Sequence, residues 1–180
     1  MCKSLLKYFG IFYHIRGVIP KQLARQLYYA FIYSRIKYGI EVYGNCAQTS
    51  LHKIQILQNK LLKMIHSLNP RTGTNELHSM LKILKVKDLQ STNIICFVNN
   101  CLSRRYSKLF HRYYLDRITP YLTRNRGLLI PKHRTTIGSL SLKIKGAKMW
   151  NNFPAETKEL RDQLNFRGHV VDLYVNNYRN

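Results

Sequence analysis

Apolar positions in the first hundred residues recur every three or four places, the spacing of helices that bury one face. Pro20 sits where a first helical turn tolerates proline, and Leu23, Leu27, Ala30 and Phe31 follow it. This predicts a helix from about Pro20 to Lys37, stopped near Gly39. Leu51, Ile54, Leu57, Leu61 and Ile65 form the next stripe, with Ser50 placed to cap it and Lys53, Lys60 and Lys63 elsewhere on the surface. Asn69-Pro70-Arg71-Thr72-Gly73 breaks the pattern. Thr74 then caps a third helix carrying Leu77, Leu81 and Leu84, and a fourth runs from about Asp88 to Leu102 with Ile94, Phe97, Val98 and Cys101 inward.

After Leu102 the pattern changes. Arg104, Arg105, Lys108, Arg112 and Arg117 are interleaved with Tyr106, Phe110, Tyr113 and Tyr114, and Tyr121 to Gly127 reads as a basic turn. Between Leu128 and Lys145 the period shortens towards two: Leu128-Leu129-Ile130, Thr135-Thr136-Ile137, then Leu140, Leu142 and Ile144 alternating with Ser139, Ser141, Lys143 and Lys145. That alternation predicts a short antiparallel sheet. Trp150 anchors a corner between the last strand and a short helix opened by Pro154, with Asn151 or Asn152 as its cap; Phe166, Val170, Leu173 and Tyr174 mark a final amphipathic helix. The fold class expected is mainly α, a helical bundle followed by a smaller α+β extension. The regions are 1–70, helical; 71–117, a helical connector; and 118–180, the extension with its small sheet and terminal helices.

Composition adds a partner to this picture. There are 30 Lys and Arg against 8 Asp and Glu, a formal net charge of +22 on 180 residues. Before residue 156, 26 bases face only Glu41, Glu76, Asp88 and Asp116, whereas the tail from Glu156 onward is balanced. Such a charge repels itself in a compact fold and calls for a polyanion. At 45% hydrophobic and 12% aromatic the chain is too apolar for a disordered basic tail. Lys7, His14 and Arg16 interrupt the apolar opening, which argues against a signal peptide or membrane span, and the four cysteines demand no disulfides. The expectation is a soluble intracellular protein, nuclear or cytoplasmic, with no membrane partner.

Catalytic chemistry is poorly supplied. A two-metal polymerase site needs carboxylates close together, and no two acids are adjacent anywhere. Glu156, Glu159 and Asp162 stand at helical spacing after Pro154, where they complement the positive end of a helix dipole. Cys96, Cys101 and His111 are not spaced as zinc ligands, the glycines form no phosphate-cradling loop, and Ser139 lacks the flanks of a nucleophile elbow. No cofactor, metal or small-molecule substrate is expected.

Four short motifs stand in order along the chain: Tyr38-Gly39-Ile40-Glu41-Val42-Tyr43-Gly44, Gln55-Ile56-Leu57-Gln58-Asn59-Lys60, Tyr121-Leu122-Thr123-Arg124 and Trp150-Asn151-Asn152-Phe153-Pro154. The series resembles the C-terminal part, thumb and post-thumb extension, of LINE-type non-LTR retrotransposon reverse transcriptases. Tyr43 stands where many members have tryptophan. The resemblance implies that the catalytic palm lies upstream of Met1, since the family's Tyr-x-Asp-Asp tetrad is absent. It also implies a truncated copy without polymerase activity of its own, with a surface for packing against the missing palm.

Together these readings predict a fragment that grips RNA or an RNA/DNA hybrid without sequence preference. Guanidinium groups engage phosphates bidentately and tyrosine rings offer faces to unpaired bases. The expected contact residues are Arg104, Arg105, Tyr106, Lys108, Arg112, Tyr113 and Arg117, continued by Arg124, Arg126, Lys132 and Arg134. The rival readings are an independent or domesticated basic scaffold that binds RNA or protein, and a translated fragment without function. Exposed leucine stripes would mark the fragment, and a closed helical core the scaffold.

Overall fold

A computed structural model of the chain describes residues 2–110, 112–114, 127–160 and 165–179. It divides into two compact units, Met1–Gln90 with Asp172–Asn180, and Ser91–Val171. The Asn69–Gly73 break lies within the first.

In the first unit, α1 (Cys2–Ile15) packs chiefly on α5 (Gln48–Ile65). Between them, α2 (Lys21–Leu27) runs through a π-helical stretch, Tyr28–Tyr33, into α3 (Ser34–Lys37). The face expected to be buried here is off by one position. Leu23, Ala30 and Phe31 are exposed, and the buried row is Ala24, Tyr28, Ile32 and Ile36. Its spacing of four is the reason for the π segment. At 3.6 residues per turn, each step of four would carry the row about 40° round the axis. The wider i→i+5 turn takes up that drift and keeps the row on one side.

Gly39, in the left-handed region at φ 67°, ends this run and admits α4 (Ile40–Tyr43). Helix α5 starts at Gln48 after Ala47, so Ser50 lies inside the first turn and does not cap it. Its stripe is turned inward as expected: Leu51, Ile54, Leu61 and Ile65 are buried and Leu57 is half-buried. Gly73 precedes α6 (Thr74–Leu81), so Thr74 is its first residue, not its cap. The C-terminal segment returns to this unit. Tyr178 donates its hydroxyl to Asp88, accepts from the Lys85 N–H at 3.2 Å, and lies under the Lys85 ammonium at 4.4 Å.

Helix α7 (Val86–Leu102) enters the second unit, where Ile94, Ile95, Val98 and Cys101 are buried. After it come α8 (Thr136–Ser139), α9 (Leu142–Asn151), α10 (Ala155–Glu159) and α11 (Phe166–Asn176). The antiparallel sheet expected between Leu128 and Lys145 is absent: no strand forms among the described residues, and only Leu128 makes an isolated bridge. Ser141 is the reason. Its hydroxyl accepts from the Ile144 N–H at 3.4 Å, capping α9, and Ile144, Ala147 and Trp150 then fall on one buried helical face. The alternation at Leu140, Leu142 and Ile144 was therefore the edge of a period near 3.6. Trp150 sits on a helix, not after a strand, with its ring 6.2 Å from Phe166.

Asn151 and Asn152 do not cap α10, which follows Pro154 directly. Asn151 instead clasps Leu128, accepting from its N–H at 2.7 Å and donating to its carbonyl at 3.0 Å. A side-chain amide thus supplies the pairing that a second strand would have given. No helix among the described residues is long and apolar enough to cross a membrane.

Candidate nucleic-acid interface

The basic segment after α7 is organised by how that helix ends. The Arg105 N–H bonds the Asn100 carbonyl at 2.9 Å and the Arg104 N–H bonds the Cys101 carbonyl at 3.3 Å, a Schellman motif with Arg104 left-handed at φ 53°. Glycine is the usual occupant of that position, because any Cβ there is strained. Helices α5 and α6 end in the same way on Ser67 (φ 52°) and Lys82 (φ 50°). Arg104 and Arg105 are both exposed just beyond the C-terminal end of α7, where the helix dipole favours cations.

Beneath this turn lies a cluster of rings. Phe97 is its hub, with Tyr106 at 5.4 Å, Phe110 at 5.8 Å, Tyr113 at 5.9 Å and Tyr114 at 6.4 Å between centroids, mostly edge to face. Tyr114 is buried and donates its hydroxyl to the Leu142 carbonyl at 2.8 Å. Burial raises the hydroxyl pKa of both Tyr113 and Tyr114, so both stay neutral. Gly146 of α9 passes so close to Tyr114 that a Cβ there would meet its hydroxyl and Val98. The rings therefore serve first as a floor. Tyr106 is 38% exposed, and Tyr113 is half-buried with the Lys143 ammonium 5.7 Å above it.

Of the expected contact residues, Arg104, Arg105, Tyr106, Lys108 and Arg112 are exposed around that floor, with Lys108 on a 3-10 turn, Lys108–Phe110. Lys132 and Arg134 are exposed on the stretch leading to α8 and make no hydrogen bond or ring contact with the cluster among the described residues. Arg117, Arg124 and Arg126 lie outside the described residues, as does the Tyr121 to Arg124 motif. Lys143 was missed because the strand expectation assigned it to a polar edge. Its place in the first turn of α9, next to the buried Ile144 but exposed, would have shown it.

The other motifs lie in the framework. Gln58 is fully buried and donates to both the Tyr28 hydroxyl and the Leu84 carbonyl at 3.0 Å. Gln55 bonds Gln58 at 3.0 Å and Asn59 at 2.8 Å, and accepts from the Val86 N–H at 2.7 Å. His78, also fully buried, donates from Nδ1 to the Ile83 carbonyl at 2.7 Å, with Nε2 facing the amides of Gln55 and Asn59 at 3.2 and 2.9 Å. Desolvation lowers its pKa to about 4, the nearby Lys85 charge adding to the effect against the hydrogen bond to Ile83. Gly44, of the first motif, is buried against the Gln90 side chain, and the Tyr43 hydroxyl donates to the Ile36 carbonyl.

A second basic feature lies in the first unit. A cleft of about 900 Å³ is lined by Arg16, Lys60 and Lys63 together with Ile56, Met64 and Leu68. The sequence reading placed Lys60 and Lys63 on the surface without joining them to Arg16. The spacing of Ile56, Lys60, Lys63 and Met64 along one ridge of α5 was the available signal.

Burial pushes the Cys101 thiol up to about 11, which keeps it protonated. Among the described residues, no three His, Cys, Asp or Glu side chains gather closely enough to hold a metal ion. Comparison with protein-family models, with curated proteins and with solved structures finds no match.

Proposed function

We propose that this chain is a sequence-tolerant nucleic-acid-binding protein, corresponding to the thumb and post-thumb part of a LINE-like reverse transcriptase, and that it binds without turnover. The observation that carries the reading is the turn after α7. Arginine occupies a strained left-handed site suited to glycine, beside Arg105, at the start of the segment that carries the exposed Lys108 and Arg112 and the rings clustered on Phe97. The same backbone strain of roughly 1–2 kcal/mol is carried at Ser67 and Lys82, so what sets Arg104 apart is its place beside Arg105 and near the exposed Lys108 and Arg112. Phosphates of RNA or an RNA/DNA hybrid suit these guanidinium groups, and the Tyr106 ring suits an unpaired base. The net charge of +22 supports the same partner.

A second reading, an independent basic scaffold, is favoured by one observation: the leucine stripes of α5 and α6 close on their own unit, Leu51, Leu61, Leu62 and Leu77 all being buried. Leu6, Ile11 and Tyr13 of α1 are about half-exposed and favour the fragment with an absent neighbour. Both readings share the binding surface.

The test is oligonucleotide affinity measured against salt. If about six phosphates are neutralised, the log-log slope falls between roughly −4 and −5. Replacing Arg104, Arg105 and Arg112 together by Gln is expected to make the slope shallower by about 2, with no change in secondary structure. A flat salt dependence of the wild-type chain overturns the proposal.

A further inference from the structure

The cleft between the end of α1 and the ridge of α5 is separate from the turn after α7 and plays no part in the reading above. Its lining combines two chemistries, positive charge and an apolar wall. Arg16, Lys60 and Lys63 bring three positive charges, and no acidic residue among the described residues lines it. Like charges gathered in a concave, partly apolar wall focus a positive potential and raise the local concentration of anions.

Two of the three cations are held in place before any ligand arrives. The Arg16 guanidinium lies 4.0 Å over the Tyr13 ring, and the Lys63 ammonium donates to the Pro70 carbonyl at 2.7 Å. Lys60 is exposed. The wall beside them is apolar: Ile56, itself 38% exposed, with Met64 and Leu68. Gly17 and Ser67, both left-handed at φ 82° and 52°, turn the chain away at the ends of α1 and α5 and leave the cleft open.

We propose that this cleft accepts one unpaired nucleotide of a bound single strand, its phosphate on Arg16, Lys60 and Lys63 and its base against Ile56, Met64 and Leu68. A volume of about 900 Å³ lies within the range of small-ligand sites and holds a nucleotide unit. A bare phosphate would use the cations and leave the apolar wall wet. A base contributes the flat apolar face that this wall lacks, and a methionine adapts to bases of different shape. The contact is therefore sequence-tolerant. The inference rests on the proposed nucleic-acid binding and adds a second point of attachment in the first unit.

The experiment uses the full chain with a uridine 12-mer carrying 5-iodouracil, cross-linked by light and mapped by peptide mass. Cross-links on the stretch 54–68 are expected in addition to those at 104–113. Uridine monophosphate should compete for them better than inorganic phosphate does. Exchanging Arg16 and Lys60, both exposed, for Gln should weaken uridine monophosphate binding about tenfold without shifting thermal unfolding. Cross-links confined to 104–113 with oligonucleotide affinity intact overturn the cleft and leave the proposed function standing. Phosphate competing as well as uridine monophosphate, or an acidic peptide displacing the strand more effectively, overturns it too. Loss of all oligonucleotide binding in the wild-type chain removes the cleft and the proposed function together.

Discussion

The two units are built around different groups. The first turns amides and an imidazole inward: Gln55, Gln58, Asn59 and His78 form a hydrogen-bonded network whose outer partners are the Tyr28 hydroxyl and backbone groups of Ile83, Leu84 and Val86. The second gathers rings around Phe97 and sets exposed cations in the same segment, and its buried polar residues include Thr92, Asn93, Asn99 and Thr157. A glutamine inside a core is committed, because each of its bonds replaces water that cannot return. An arginine at a turn is available. The Gln55 to Lys60 motif is thus mostly a brace, whereas the turn after α7, the proposed binding surface, lies outside all four motifs.

Breaking the brace should give the largest effect. Gln58→Ala strips partners from the Tyr28 hydroxyl and the Leu84 carbonyl and leaves a void, at a cost of about 3 kcal/mol in urea unfolding. Gln58→Leu fills most of that void but still orphans the Leu84 carbonyl. It should recover only part of the loss; full recovery would reduce the network to filler.

Acid probes the same brace with an effect of similar size. His78 is held neutral, its pKa lowered from 6.5 to about 4 in the folded chain. Below pH 6.5 the unfolded chain binds a proton that the folded chain refuses. The stabilising contribution is complete above that pH and is lost as pH falls towards 4, amounting to about 3 kcal/mol at the lower end. His66, whose pKa is also lowered by desolvation and by Lys21 and Arg25, acts in the same direction. Urea midpoints from pH 7.5 to 4.5 measure the fall, and an NMR titration of His78 near its ordinary value would contradict the burial.

These contrasts explain what could be read from the chain beforehand. Helices in the first hundred residues were legible because Leu51, Ile54, Leu61 and Ile65 repeat with the period of the backbone that buries them. The row Ala24, Tyr28, Ile32, Ile36 was misjudged by one place, since a row repeated every four residues drifts round a regular α-helix and the π segment absorbs that drift. The sheet was misjudged because three alternating residues, Leu140, Leu142 and Ile144, cannot separate a strand from a helix edge, and the cap at Ser141 decides between them. At the site, the cations from Arg104 to Arg112 were legible from their interleaving with aromatic residues along the chain. The ring cluster under them was not, because its members meet across α7 and the following turn through folding and not through spacing. The left-handed residues were equally hidden, none of Ser67, Lys82 and Arg104 being glycine.

Arg104 permits the finest separation of scaffold from surface. At its φ of 53°, glycine is unstrained, so Arg104→Gly should stabilise the folded chain by up to about 1 kcal/mol, less a few tenths for the lost cation at the end of α7. Were the arginine there only to complement the dipole, nucleic-acid affinity would be unaffected by the exchange. With a phosphate as its partner, the same variant gains stability and loses binding, several-fold in affinity and by a little under 1 in salt slope. Lys82→Gly supplies the control, because it relieves the same strain, at φ 50°, in the unit whose brace faces inward. It should gain stability with a much smaller change in oligonucleotide affinity. Opposite signs of stability and affinity at Arg104, set against a gain in stability alone at Lys82, would distinguish the available arginine from the committed backbone.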